Sequence, residues 1–246
     1  MDGTLSVSPS SSLAIVNHLT LNGQIRVVGG PGSQASSLNF DTSTPQTLNG
    51  TGTMRISTNG GVNAGDLTVG PDVTLNAATG QYVASGNFEI MGTVLPDVDR
   101  SFIVESQTDM LINSGLFHAR SPSTLVIRGM ASNDGTFQIE SGSVIQTERA
   151  GYTQSASGGL IIDIRGLGTT NHGQLTATEA VSLAGSLTVN LVDSYEPKIG
   201  DTFAIVTGTS FSGTFGTITG LVIGNGKQFD VIYNTMDVTL EVIAGP

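Results

Sequence analysis

The chain contains no cysteine and no tryptophan. Without thiols it has neither disulfides nor thiolate metal sites. Rings are scarce, with nine Phe and four Tyr in 246 residues, so Val, Ile and Leu must fill the core. Those residues suit pleated, half-buried surfaces. Basic residues are also few: nine Lys and Arg face twenty Asp and Glu, for a net charge of −11. Nucleic acid is repelled by such a chain, and so is an anionic membrane surface. The acidity reads first as a solubility device, and second as weak cation binding between neighbouring copies. No run of 18 apolar residues is present, which excludes a transmembrane segment of the helical kind. Met1-Asp2-Gly3 opens without a basic and then apolar leader, so the chain reads as a mature or trimmed form. Helical periodicity is missing too. Its best stretch, residues 178–183, is too short to stand alone.

What is abundant is glycine, 33 residues with no Gly-X-Y period, set among dense β-branched residues. That combination predicts many strands and many tight turns. The recurring unit is a small residue, a glycine and an alternating strand. It occurs as Asn22-Gly23-Gln24-Ile25-Arg26-Val27, Gly52-Thr53-Met54-Arg55-Ile56, Ser85-Gly86-Asn87-Phe88-Glu89-Ile90, Ser114-Gly115-Leu116-Phe117, Asp134-Gly135-Thr136-Phe137, Gly158-Gly159-Leu160-Ile161 and Ala184-Gly185-Ser186-Leu187. Glycine takes positive φ at low cost, which a sharp corner is expected to use. Alternation after it sends one set of side chains inward and the other outward. The glycines are 29 residues apart from Gly23 to Gly52, 29 from Gly86 to Gly115 and 20 from Gly115 to Gly135, within the ~20–30 of a solenoid coil. Stacked coils bury a continuous core that no single coil can bury. The expected fold is therefore all-β, a parallel β-helix over residues 1–165. An antiparallel β-sandwich is the alternative, because Asn-Gly and Asp-Gly steps also make hairpins.

From residue 166 the texture changes. Residues 166–173 read as a loop, and residues 186–192, 202–207, 228–234 and 236–243 as longer strands. The last two are joined at Asn234-Thr235, a hairpin signal. Residues 166–246 are thus expected to end the solenoid, continuous with its coils, and to cover its open sheet edge with antiparallel hairpins. The residues in question are Gly173-Gln174-Leu175-Thr176-Ala177, Leu183-Ala184-Gly185-Ser186-Leu187-Thr188-Val189, Gly200-Asp201-Thr202-Phe203-Ala204-Ile205-Val206, Ser212-Gly213-Thr214-Phe215, Phe229-Asp230-Val231-Ile232-Tyr233 and Val238-Thr239-Leu240-Glu241-Val242. This series, over residues 158–244, resembles the C-terminal part of autotransporter-type passenger domains and related bacterial surface β-helix proteins. The resemblance implies a right-handed parallel β-helix and a secreted or cell-surface location. It implies no activity, since such proteins include adhesins, matrix components and enzymes.

Candidate chemistry is thin. His18, His118 and His172 are far apart, none with a second His three or four residues away, and each reads as an outward or loop residue rather than a metal ligand. No Gly-x-Ser-x-Gly elbow occurs, and Ser10, Ser11 and Ser12 read as a linker tail. Asp97 and Asp99, flanking Val98 ahead of Arg100, are two carboxylates on a loop. Such a pair suits Ca²⁺ or, with Glu105 or Asp109, a sugar-cleaving site, and reads more simply as a solvated loop. Arg55, Arg120, Arg128, Arg149 and Arg165 are scattered. Asp163 and Arg165 share an outward strand face, and Tyr82 and Tyr152 are the available stacking platforms for a sugar. Thr51/Thr53, Thr207/Thr209 and Thr217/Thr219 form Thr-x-Thr pairs, but not in every unit as an ice-binding face requires. No catalytic, cofactor-binding or metal residue is assigned. The expected function is a non-enzymatic extracellular structural or adhesive module, self-assembling into fibres or a surface layer. Its expected partners are itself, extracellular matrix or host surface glycans. The alternative is a polysaccharide lyase or hydrolase on the same scaffold. A third reading is a trimeric viral or phage fibre segment.

Overall fold

Strand alternation and corner glycines predict a stack of coils. We analysed a computed structural model, which describes residues 1–32, 34–57, 59–77 and 81–245, and the side chains of all of these except residues 83, 84, 108 and 109. Among the described residues there is no helix. Residues 178–183 contribute instead the strand Val181–Leu183.

The strands Thr4–Val7, Gln24–Val27, Thr53–Ile56, Thr74–Ala77, Thr93–Pro96, Leu116–Ala119, Thr136–Ile139, Gly159–Ile164, Ser186–Leu191 and Thr217–Thr219 stack in chain order into one ten-stranded sheet. Every pairing within it is parallel. Between neighbours the chain runs out through two further faces and returns. The second face carries Ser12–Ile15, Ser36–Phe40, Gly60–Ala64, Gln81–Ala84, Val144–Glu148, Gln174–Ala177 and Thr202–Thr207. The third carries Leu19–Thr20, Gln46–Asn49, Leu67–Val69, Phe88–Ile90, Tyr152–Gln154, Val181–Leu183 and Phe211–Gly213. Two long strands, Ser101–Asn113 and Thr124–Asn133, pass round the bend and serve both faces. The fold is a three-faced parallel β-helix. Among the described residues, apart from the single bridge of Ile164 with His172, antiparallel pairing is confined to Thr202–Thr207, Val222–Gly224, Lys227–Tyr233 and Asp237–Ala244, so the sandwich alternative is set aside.

Register builds the core. On the first face Leu5, Ile25, Met54, Leu75, Val94, Phe117, Phe137, Leu160, Leu187 and Ile218 form one inward column. Within it the Phe117 and Phe137 rings stack with centroids 5.4 Å apart. Like side chains from successive coils fill the interior because a parallel ladder sets them ~4.8 Å apart. Ser12, expected in a linker tail, opens the first strand of the second face, and its Oγ accepts from Asn39 Nδ2 at 2.7 Å.

The corner glycines need correction. Gly23, Gly52, Gly115, Gly135, Gly158 and Gly185 all stand at one corner, where the third face turns into the first. Gly86 stands at another, ahead of Phe88–Ile90, so the 29-residue step from Gly86 to Gly115 joined two different corners. Measured along one column, Thr74 lies beside Thr93 and Ser186 beside Thr217, so a coil takes from 19 to 31 residues. Of that corner set only Gly185 has positive φ. What excludes a side chain at the others is the coil beneath. A Cβ on Gly115 would fall onto the carbonyl oxygen of Gly92, one on Gly135 onto that of Gly115, and one on Gly185 onto that of Gly158. These carbonyls accept hydrogen bonds from the residue after the next corner. Leu116 N donates to Gly92 O at 3.0 Å, Thr136 N to Gly115 O at 2.8 Å and Ser186 N to Gly158 O at 2.9 Å.

At the C-terminal end a hairpin extends the second face. Lys227–Tyr233 and Asp237–Ala244 pair antiparallel, and the latter also pairs with Thr202–Thr207 of the last full coil. Phe203, Phe229, Leu240 and Val242 are buried beneath it, with the Phe203 and Phe229 rings edge to face at 6.0 Å.

Gly115→Ala is expected to destabilise the protein by about 3 kcal/mol, the upper range of core overpacking. Gly61→Ala, whose Cβ would meet nothing nearer than Gln81 O at 4.0 Å, is expected to be neutral or stabilising by up to ~1 kcal/mol. Chemical denaturation of both variants checks the pair, and equal losses would remove the close-approach argument.

Candidate functional site

Outward residues on each face also fall into columns, so a charged side chain meets the one a coil away. On the first face Arg55 lies beside Asn76. The Arg55 guanidinium bonds both Asn76 Oδ1 and the Asp97 carboxylate, with Nη1 to Oδ1 at 3.1 Å. Asn76 Nδ2 donates to Leu95 O at 2.7 Å. Asp97 is therefore tied to the sheet rather than paired with Asp99, which sits in the following turn at φ 61°. Further along, His118 Nε2 and Glu140 Oε1 are 2.8 Å apart, and Glu140 Oε2 accepts from Ser121 N at 2.9 Å.

The pairing of Ile139 with Ile162 brings Glu140 and Asp163 onto neighbouring strands, ~4.8 Å apart. Asp163 Oδ1 accepts from Asn190 Nδ2 at 2.9 Å. Burial raises the Asp163 carboxyl above its ordinary range, the Asn190 hydrogen bond opposes that, and the Glu140 charge adds to it. Arg165 turns away from Asp163 to the loop, where Nη2 donates to Thr170 O at 3.1 Å.

The second face holds a charge network that scattered sequence positions concealed. Register aligns Glu105 with Arg128 and Arg128 with Glu148. Arg128 Nε donates to Glu148 Oε2 at 2.9 Å, and its Nη1 lies 3.9 Å from Glu105 Oε2. Arg149 reaches back to Glu105 Oε1 at 2.8 Å. The Glu105 side chain is only 9% exposed while that of Arg149 is 60% exposed. Removing both arginines would strand the buried Glu105 carboxylate, whereas without Glu105 Arg128 keeps Glu148 and Arg149 can return to water. Asp109, considered with Glu105 on sequence grounds, has its side chain outside the described set.

Three aromatic or imidazole expectations change. Tyr82 and Tyr152 are fully buried rather than exposed platforms. Tyr82 OH donates to Met54 O at 2.8 Å. Tyr152 OH donates to Gln154 Oε1 at 3.0 Å and belongs to an interior polar column, in which Asn113 Nδ2 donates to Asn133 Oδ1 at 2.7 Å and Gln154 Nε2 donates to Ala184 O at 2.8 Å. His172 is buried too, its ring between Gly168 O at 3.0 Å and Ala204 O at 3.2 Å. His18 is exposed and its Nδ1 accepts from Thr47 N at 3.1 Å. The threonines line the start of first-face strands as Thr4, Thr53, Thr74, Thr93, Thr136 and Thr217. Arg26, Arg55 and His118 occupy the next outward column, so no flat Thr-x-Thr surface forms there.

Among the described residues, no three His, Asp or Glu side chains gather as metal ligands, and no helix is long and apolar enough to cross a membrane. No family model and no curated protein matches the chain.

Two pH responses follow. Burial depresses the His172 imidazole below its ordinary value of 6.5. The unfolded chain then binds the proton first, so stability is expected to fall as pH drops through about 6.5. A His172→Gln variant should lack that slope in denaturation midpoints measured from pH 8 to 5. Asp163 has the opposite sign, because its raised folded pKa makes stability fall as pH rises above the unfolded value. Asp163→Asn is expected to raise the melting temperature at pH 7, and the gain should vanish in strong acid.

Proposed function

We propose that the chain is a non-enzymatic extracellular structural or adhesive module, of the kind its C-terminal resemblance to autotransporter-type passengers suggests. The supporting observation is the use of its charged side chains. Arg55 with Asp97, His118 with Glu140, and Arg128 with Glu105 and Glu148 all bind one coil to another. These groups add to the continuous parallel ladder and stiffen a rod whose remaining outward side chains are free to contact partners. Sheet edges at the ends of such a rod are templates for further strands. Purified protein is expected to form elongated particles that associate as concentration rises, seen by sedimentation velocity and negative-stain microscopy. A strictly monomeric profile at high concentration would remove the self-assembling form of the reading.

The hydrolase reading retains one observation in its favour. Glu140 and Asp163 are neighbouring carboxyls of unequal environment: Glu140 faces His118 and accepts from Ser121 N, while Asp163 accepts from Asn190 and burial pushes its carboxyl up. Unequal pairs of this sort divide acid from base. Activity on neutral or acidic polysaccharides that disappears in Asp163→Asn would favour it over the structural module.

A further inference from the structure

The two ends of the rod differ. Beyond the last full coil, Asp237–Ala244 takes the second-face position next to Thr202–Thr207 and runs antiparallel to it, with Lys227–Tyr233 and Val222–Gly224 following outward. At the other end, among the described residues, Thr4–Val7, Ser12–Ile15 and Leu19–Thr20 are each paired on one side only. We propose that this first coil is the docking surface for a second copy of the chain, joined end to end about a two-fold axis, so that assembly stops at two rods. The proposal rests on the self-assembling reading above and gives it an interface and a limit.

Packing shows what the surface is made of. Leu5, Leu13, Ile15 and Leu19 point inward but are only partly buried. Their neighbours one coil in, Ile25, Leu38, Phe40 and Leu48, are at most 2% exposed. The first coil is therefore an open layer of the aliphatic core, rimmed by three strand edges. Gly3 O and Val7 O accept from Gln24 N and Val28 N, and Ser11 O and Ile15 O from Ser37 N and Asp41 N. Amide groups alternate in direction along a ladder strand, so Thr4, Ser6, Ser12 and Ala14 turn theirs to the free side. Edges that face solvent are ordinarily blunted by Lys, Pro, inward charges or bulges. Residues 4–7, 12–15 and 19–20 contain none of the first three.

Charge and shape select the occupant. Residues 1–40 hold one acidic and one basic residue, Asp2 and Arg26, so the whole net charge of −11 lies on residues 41–246. Copies that approach flank to flank bring like charge together, whereas two first coils meet without it. A two-fold axis through the first face lays Thr4–Val7 antiparallel against the same strand of the second copy, with the two aliphatic layers facing. Head-to-tail stacking is obstructed. Three antiparallel strands continue the second face past the last coil, by roughly 14 Å at the ladder spacing. They carry Asp230, Asp237 and Glu241 against Lys227. A flat first coil meets them before it reaches the first-face edge at Thr217–Thr219.

Sedimentation velocity of the intact chain, from low to high micromolar concentration, tests the interface. A monomer–dimer equilibrium is expected, with small-angle X-ray scattering showing a dimer twice as long as the monomer. Ser6 is exposed, and Ser6→Lys sets two cations against each other across the axis. It should weaken the dimer by about tenfold or more, with the melting temperature of the parent. Thr217→Lys adds the same charge at the opposite end, where Thr217 is also exposed, and should leave the dimer unchanged. Growth beyond two copies overturns the proposal and keeps the assembling reading. So does a dimer that Ser6→Lys leaves intact, or one that Thr217→Lys weakens as much. A chain that stays monomeric throughout removes both.

Discussion

The structure depends on one close approach: at Gly23, Gly52, Gly92, Gly115, Gly135 and Gly185 the corner glycine lies directly against the carbonyl of the corner residue one coil away. Because that oxygen accepts from the residue following the glycine, the contact fixes where every first-face strand begins. A slip of one residue would turn each inward side chain outward. The column from Leu5 to Ile218 and the column of outward charges are two consequences of this same registration. Coil length is free to vary because the loops absorb the difference elsewhere.

Much of this was legible in the chain, but for a partly mistaken reason. Alternation located the strands, and the small-residue–glycine steps marked corners. Positive φ was the expected demand on those glycines, whereas steric closeness is the actual one at Gly23, Gly52, Gly115, Gly135 and Gly158. That closeness is a contact between coils, some 20 residues apart, and no local pattern carries it. Gly86 looked equivalent for the same reason. Once two corners were mixed, Glu105, Arg128 and Glu148 lost their common phase and read as isolated charges, although their spacings are those of single coils.

Burial of polar groups was the less legible part. Tyr152, Asn133 and Gln154 sit in the interior because each finds a partner in its own or the adjacent coil. A hydrogen-bonded buried amide costs little, and an unbonded one costs a great deal. Only the coil register decides which case applies. His172 follows the same rule, held between one loop carbonyl and one strand carbonyl. The change of texture after residue 166, by contrast, was visible because antiparallel hairpins are local and carry their own turn signals.

The faces and the corners of the solenoid therefore differ in chemical opportunity. On a face, any ionisable side chain has a neighbour ~4.8 Å away in the next coil, and Arg55, His118, Arg128 and Asp163 all take one. At a corner, coils of unequal length let successive turns diverge, and a side chain can lack its counterpart. Asp99 stands in such a turn with positive φ and Arg100 follows it. Groups that bind coils together are committed to the fold, and changing them alters stability first. Groups left over at the corners, such as Asp99 and Arg100, carry no such duty, so changing them leaves the contacts between coils intact.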